Sequence, residues 1–310
     1  MKVFLTGGTG YVGAHVTRAL VARGHHVTVL ARDPGKIPSF VGAEGITLVR
    51  GDVRDARAVE AALPGHDALI HSALVWRDVV EGEEPGELQL EDPRASIGVF
   101  LAAERAGVRR VVYTSSTAVH RPFKAVMNED DALAPDDFYG VSKATGELAL
   151  SAIALSAIRE RSGLVATIVR AGPVVGAPAA ADAPFKSDPR FEGFVAMARR
   201  GDPIVVARND GRQLVAASDL ARVHVSALER ESGRETVVAV ARELTTWESV
   251  ARETVRQVGA GDVVVEDTGL PPRPWWFDTA RLERMLGSAL TAETAVSEHV
   301  AQVIARAPRQ

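Results

Sequence analysis

Short apolar runs recur along the first half of the chain at residues 2–5, 27–30, 46–49, 67–71, 111–114 and 164–169. Between them lie stretches with helical spacing at 11–23, 56–63, 96–106 and 139–161, the first closed by Gly24, a usual helix-stop residue. Runs with no polar alternation predict strands buried on both faces. Separated by helices, they form a parallel sheet with helices on either side. The fold class expected is therefore α/β, a doubly wound parallel sheet of the Rossmann kind. The pattern weakens from 73 to 96, where the acidic, turn-rich tract Glu81-Gly82-Glu83-Glu84-Pro85-Gly86-Glu87 reads as a surface loop. Beyond the Ala- and Pro-rich stretch 177–184, short helices (189–200, 218–230, 247–258, 279–286, 292–305) alternate with short strands (204–206, 237–240, 263–266). That half is too discontinuous for a second doubly wound sheet. Residues 1–176, with later segments returning to them, are expected to form the sheet domain, and 177–310 mainly a smaller mixed lobe over its ligand edge.

The first run leads directly into Thr6-Gly7-Gly8-Thr9-Gly10-Tyr11-Val12-Gly13. Gly7 permits backbone angles closed to other residues, Gly10 lets the main chain approach a ligand, and Gly13 lets the new helix lie close to the sheet. The free amides of that helix start attract phosphate. In a strand–turn–helix context these features predict a dinucleotide cradle made by Gly7, Thr9, Gly10, Tyr11, Val12 and Gly13. At the end of the second strand a carboxylate would bind a free ribose 2′-hydroxyl, whereas an Arg accommodates a 2′-phosphate. The chain has Ala31-Arg32 there, and Asp33-Pro34-Gly35 has the composition of a turn or cap. Arg32 therefore points to NADP in preference to NAD.

Composition narrows the classes. The 310 residues are 46% hydrophobic and 25% charged, with a net charge of −4, an ordinary globular balance that gives no basis for a nucleic-acid or anionic-membrane partner. With no cysteine, disulfides, thiolate catalysis and Cys-ligated zinc are excluded. The eight histidines are scattered without an HExxH pair, so no metal is expected, and His25-His26 reads as a solvated corner. The most apolar long stretch, 148–158, contains serines and falls short of the ~20 residues of a membrane span. The first strand begins almost at once, leaving no room for a signal peptide, and the default expectation is cytoplasmic.

The second constellation is Tyr139-Gly140-Val141-Ser142-Lys143. On a helix, residues four apart share a face, so the phenol and the ammonium point the same way. A neighbouring positive charge favours the phenolate of a group that otherwise titrates near ~10, which suits Tyr139 to proton transfer. Thr114-Ser115-Ser116-Thr117 ends the fifth strand, where a parallel sheet presents its ligands, and a hydroxyl there can hydrogen-bond a substrate carbonyl.

These residues resemble an extended short-chain dehydrogenase/reductase of the broad epimerase/dehydratase type, over nearly the whole chain. The glycine turn matches that family's TGGxGxxG, Val112-Tyr113-Thr114-Ser115-Ser116 its serine strand, and Tyr139 with Lys143 its YxxxK, inside the longer Tyr139-to-Glu147 match. His71-Ser72-Ala73, Ala217-Ser218-Asp219-Leu220-Ala221 and Asp278-Thr279-Ala280-Arg281 resemble further landmarks. The resemblance implies that Asp52 contacts adenine beside Val53, and that Ser72 and Ala73 lie along the cofactor. It makes Tyr139 the acid/base and gives Lys143 the tasks of lowering its pKa and holding the nicotinamide ribose. Ser116 is the better-aligned catalytic hydroxyl, with Ser115 and Thr117 left open by one residue of register. The implied partner is a small molecule, and the long Tyr139 helix offers a homodimer face.

The chain departs from nucleotide-sugar members at Pro173, which stands where an Asn commonly helps bind diphosphate and has no side-chain donor. Arg212 sits where such enzymes hold a diphosphate-binding Arg, and Arg273 is a second candidate; each also reads as a surface charge. Trp76, Phe123, Met127 and the tract Pro271-Pro272-Arg273-Pro274-Trp275-Trp276-Phe277 read either as walls of an apolar pocket or as core. His120-Arg121 is a cleft-edge candidate by position. The leading expectation is an NADP-preferring oxidoreductase interconverting a carbonyl and a secondary alcohol. A nucleotide-sugar epimerase or dehydratase with retained NAD, and a non-catalytic dinucleotide sensor, are the alternatives.

Overall fold

A computed structural model of the chain describes residues 1–75, 90–159, 163–231 and 233–307. Seven strands form one parallel sheet in the order β11-β6-β5-β4-β1-β2-β3. They are β1 (Lys2–Thr6), β2 (His26–Ala31), β3 (Ile46–Arg50), β4 (Ala68–His71), β5 (Arg110–Ser116), β6 (Val165–Ala171) and β11 (Arg234–Ala239). The order reverses at β1, which pairs with β2 on one side and β4 on the other. That reversal opens a crevice at the carboxyl ends of the two inner strands.

Alternate residues of β1 face opposite helical layers, as the pleat requires. Val3 and Leu5 pack with Val16 and Leu20 of α1 (Tyr11–Ala22) and with Leu220 and Val223 of the helix Ala217–Leu228. Phe4 faces the other way, toward Val59 of α2 (Ala56–Ala62), Val99 and Phe100 of α3 (Glu91–Arg105) and Leu150 of α4 (Phe138–Arg159). Burying each such side chain contributes roughly 1.5–3 kcal/mol, which is why uninterrupted apolar strands select this two-sided arrangement.

The second half places Phe191, Trp247, Val250 and Val300 in a separate core built on the helices Pro189–Arg200, Trp247–Val258 and Glu293–Arg306. Its strands pair in twos: β7 (Val174–Val175) with β10 (Val215–Ala216), β9 (Gly211–Arg212) with β12 (Thr245–Thr246), and β8 (Ile204–Ala207) with β13 (Val263–Glu266). The two-residue strands leave no periodic signal in the sequence.

Two boundaries near the site and one burial differ from expectation. The fifth strand continues through Ser116, because Ser115 and Ser116 pair with Arg170 and Ala171 of β6. α3 starts at Glu91 rather than 96, since Pro93 sits in its first turn, where the missing amide has no intrahelical partner to lose. His25 is buried rather than solvated, its Nε2 3.2 Å from Glu229 Oε1 and its Nδ1 3.3 Å from the N-terminal amine. The acidic tract 81–87 and Trp76 lie outside the described residues.

Candidate active site

Gly7 follows β1 with φ at +76°, and its carbonyl accepts the Gly10 amide at 2.9 Å. A methyl group on Gly7 would lie 2.5 Å from the Ala73 amide nitrogen, and one on Gly13 would overlap the Gly7 carbonyl. The close approach is reciprocal, because the Ser72 amide donates to the Thr6 carbonyl at 3.2 Å. Gly7, Gly10, Gly13, Ser72 and Ala73 thus meet at the switch point, with Thr9, Tyr11 and Val12 on the turn entering α1. Gly10 is the N-cap of α1 and supplies no side-chain cap, and the first turn carries no acidic residue. The positive end of the helix dipole is therefore directed at the crevice, as a pyrophosphate seat requires. The residues present fit a dinucleotide.

The Tyr11 side chain has another task. Its hydroxyl donates to the Gly176 carbonyl at 2.7 Å, and burial raises its pKa. Only the Tyr11 backbone belongs to the turn.

Arg32 is exposed one residue past β2. Asp33 is engaged as a cap, its Oδ1 accepting the Gly35 amide at 3.0 Å. At the neighbouring strand end Arg54 clasps Asp52 through two side-chain bonds of 3.1 and 2.7 Å. That clasp holds the Asp52 carboxyl below its ordinary range despite partial desolvation, and Arg32 adds to the effect. Arg32 and Asp52 therefore share one electrostatic neighbourhood, with Val53 packed partly into the core beneath.

Tyr139 occupies the first turn of α4, where Asp137 Oδ1 accepts the Gly140 amide at 2.6 Å. One helical turn on, Lys143 Nζ lies 5.9 Å from the centre of the Tyr139 ring and 5.3 Å from that of Tyr113. Lys143 is buried, and Asp92 Oδ2 approaches its ammonium to 3.7 Å. Burial opposes the ammonium's charge, but Tyr113, Asp92 and Tyr139 outweigh it and raise the Lys143 pKa. Burial pushes the Tyr113 phenol up to about 12.

The two serines at this strand end differ in their hydrogen bonds. Ser115 Oγ points into the protein and donates to Glu147 Oε1 at 2.5 Å. Ser116 Oγ instead accepts the Ala118 amide at 3.2 Å, at the start of a short turn of helix, Thr117–His120. Thr117 is buried.

Beneath that strand end lies a buried ion pair. Arg170 donates three times to Glu147, at 2.8 to 3.1 Å, and its Nη1 reaches His120 Nε2 at 2.9 Å and the Glu129 carbonyl at 2.9 Å. His120 is therefore buried rather than at the cleft edge; burial and the Arg170 charge push its pKa down to about 4, so it is neutral. Sequence reasoning gave Asp92, Glu147 and Arg170 no role. Glu147 lies four residues after Lys143, a spacing that places both on one helix face, whereas Asp92 falls where no helix was expected.

The aromatic candidates divide. Met127 and Phe277 are core, bridged through Met127 N to Trp276 O at 2.7 Å, with Phe123 and Trp275 partly buried against them. Trp276 lies under the Arg273 guanidinium at 4.1 Å, and Arg273 pairs with Glu243 at 3.0 Å. Arg212 stacks on Trp275 at 4.7 Å and is half-buried, which lowers its pKa against the pull of Asp210. Pro173 is exposed just past β6, its carbonyl accepting the Val215 amide at 3.0 Å. Among the described residues no cluster of three or more His, Asp or Glu side chains could hold a metal, and no helix is long and apolar enough to cross a membrane.

Known proteins resemble this chain in sequence and in fold. A 3 beta-hydroxysteroid dehydrogenase/Delta 5-->4-isomerase of Mycobacterium tuberculosis is 32% identical over 136 residues, 43% of this chain and 36% of that protein's length. A UDP-glucose 4-epimerase of Azospirillum brasilense is 28% identical, covering 97% of this chain and 94% of the relative. The solved structure of the UDP-Glc/GlcNAc 4-epimerase from Campylobacter jejuni superposes with a TM-score of 0.81 at 17% identity, covering 99% of each chain, and shares the fold. The sequence model for the NAD dependent epimerase/dehydratase family matches residues 3–241. A match over most of its length shows that the chain belongs to the NAD dependent epimerase/dehydratase family.

Proposed function

We propose that this enzyme interconverts a carbonyl and a secondary alcohol on a small substrate, with Tyr139 as the acid/base, Ser116 as the hydroxyl that orients the carbonyl, and Lys143 as the activating charge. The observation that carries the reading is the buried Lys143 ammonium one helical turn behind Tyr139. Nicotinamide supplies or accepts the hydride when bound. Ser116 Oγ already accepts from Ala118, so its own proton is available to the substrate oxygen. Tyr139 then transfers a proton at that oxygen as its charge changes, and Lys143 stabilises the phenolate. Ser115 is committed to Glu147 and takes no part.

The proposal includes NADP over NAD, supported by exposed Arg32 and by the engagement of Asp33 in its own turn. Residues 1–176 would hold the cofactor and 177–310 most of the substrate contacts. Val141, Leu148 and Leu155 recur every seven residues on α4 at 43%, 64% and 47% exposure, a stripe that supports a homodimer. A cytoplasmic location accords with the lack of cysteine.

A panel of small aldehydes and ketones offered with NADPH and NADH tests the reading. Consumption of reduced cofactor matched by alcohol formation, faster with NADPH, is expected; dinucleotide binding without turnover on any member contradicts it and favours a sensor. Arg212 supports a second reading, a nucleotide-sugar epimerase or dehydratase that retains NAD, since its guanidinium is half-buried against Trp275. Protein that purifies with NAD bound and gains stability from a UDP-sugar favours that reading; exposed Pro173, without a donor, speaks against it.

A further inference from the structure

We propose that Asp92 is a positioning residue, the buried counter-ion that keeps the Lys143 ammonium charged and aimed. The proposal deepens the redox reading above and rests on it for its role in catalysis. Asp92 is 1% exposed and comes from α3, whereas Lys143 comes from α4. Its Oδ1 accepts the Val75 amide at 2.7 Å, and its Oδ2 accepts Ser142 Oγ at 2.5 Å and faces Lys143 Nζ at 3.7 Å. Two donors and an ammonium thus converge on this one carboxyl group. Ser142 precedes Lys143 on α4, so one carboxylate oxygen holds both the lysine and its neighbour.

The other groups around Lys143 cannot substitute for it. From β5, Tyr113 is neutral at physiological pH, its pKa being pushed up to about 12 by burial. From β4, His71 is buried between Thr6 Oγ1 at 2.6 Å and Ser96 Oγ at 2.9 Å, and burial with the Lys143 charge pushes its pKa down to about 3, so it carries no charge. On α4 itself, Tyr139 is the group to be activated and Glu147 is bound by Arg170. A lysine buried this deeply without a counter-ion loses its proton near neutrality, with pKa values of roughly 5–6 at the extreme. A neutral Lys143 could not stabilise charge developing on the Tyr139 oxygen. An amide in place of Asp92 would keep the shape and lose that function, which separates a counter-ion from a simple tether between two helices.

The test is a lysine titration by NMR on the full chain, using 13Cε-labelled lysine; only Lys2, Lys36, Lys124, Lys143 and Lys186 contribute, and Lys143→Arg identifies the resonance. In the unaltered protein Lys143 should remain an ammonium to the alkaline end of the titration. In Asp92→Asn it should deprotonate at least ~2 pH units earlier, about a hundredfold loss of proton affinity. Ser142→Ala, which removes a donor but no charge, should leave Lys143 titrating as before. An unchanged Lys143 titration in Asp92→Asn would overturn the proposal. So would a protonated Asp92 carboxyl at pH 7, read from its 13Cγ shift in the unaltered protein, a measurement that needs no variant to fold. Neither readout needs a substrate, so failure of the redox assignment would show in turnover and leave the titration standing.

Discussion

The charge of Arg32 reaches Asp52 across the strand ends, where it adds to the pull of Arg54. If it receives a 2′-phosphate, Arg32→Glu removes a charge-assisted bond and sets a carboxylate in its place, costing NADP roughly 10- to 100-fold in affinity while NAD is spared or gains. Isothermal titration with both dinucleotides checks this; equal losses for both would remove Arg32 from the adenosine end. Tyr11 separates a backbone role from a side-chain role. Tyr11→Phe deletes only the bond to Gly176 and should cost about 0.5–1.5 kcal/mol in urea unfolding with dinucleotide affinity unchanged. The glycine turn and the Tyr139–Lys143 pair were legible in the sequence because their chemistry depends on spacing along one element. Asp92 was not, since what gives it meaning is a contact to Lys143 fifty-one residues away across two helices.

The elements around the site are held by close approaches and by one buried pair. Gly13 has no room for a methyl group against the Gly7 carbonyl, so Gly13→Ala should push α1 off the turn and abolish dinucleotide-induced thermal stabilisation; a preserved thermal shift would show that the cradle tolerates the displacement. Glu147 and Arg170 are both nearly fully buried and join α4 to β6 and, through His120 and the Glu129 carbonyl, to the segment after β5. Removing one partner leaves an uncompensated buried charge, so Glu147→Ala should cost about 3–5 kcal/mol. The exposed pair Arg252–Glu248 should cost under about 1 kcal/mol when broken. Comparable urea midpoints for the two variants would contradict that assignment. The six strands read from apolar runs are found because burial on both faces leaves an unmistakable composition. The two-residue ladders of the second half and the start of α3 are set by tertiary pairing, for which a one-dimensional pattern has no signature.

At the scale of the molecule, three buried histidines tie folding to pH. His71, His120 and His224 have pKa values pushed down to about 3, 4 and 4, chiefly by burial. The unfolded chain binds protons at these positions below about 6.5 and the folded one does not, so stability is full above that pH and falls as pH drops toward 4. Urea unfolding free energies should decline between pH 7 and 4, with His15 and His299, whose pKa values burial also lowers, adding to the loss; a flat profile would mean the folded protein accommodates the charged rings. The same packing that keeps His71 neutral encloses Lys143, which links the stability of the sheet's carboxyl edge to the electrostatics of the site. The central claim is that this edge performs hydride transfer with Tyr139 as proton donor. Its most direct test follows deuterium from C4-deuterated reduced dinucleotide into a responsive carbonyl substrate, in the unaltered enzyme and in Tyr139→Phe. Label should reach the alcohol carbon in the former, and the variant should bind dinucleotide normally while losing at least ~100-fold in rate; transfer at an unchanged rate in Tyr139→Phe would contradict the account.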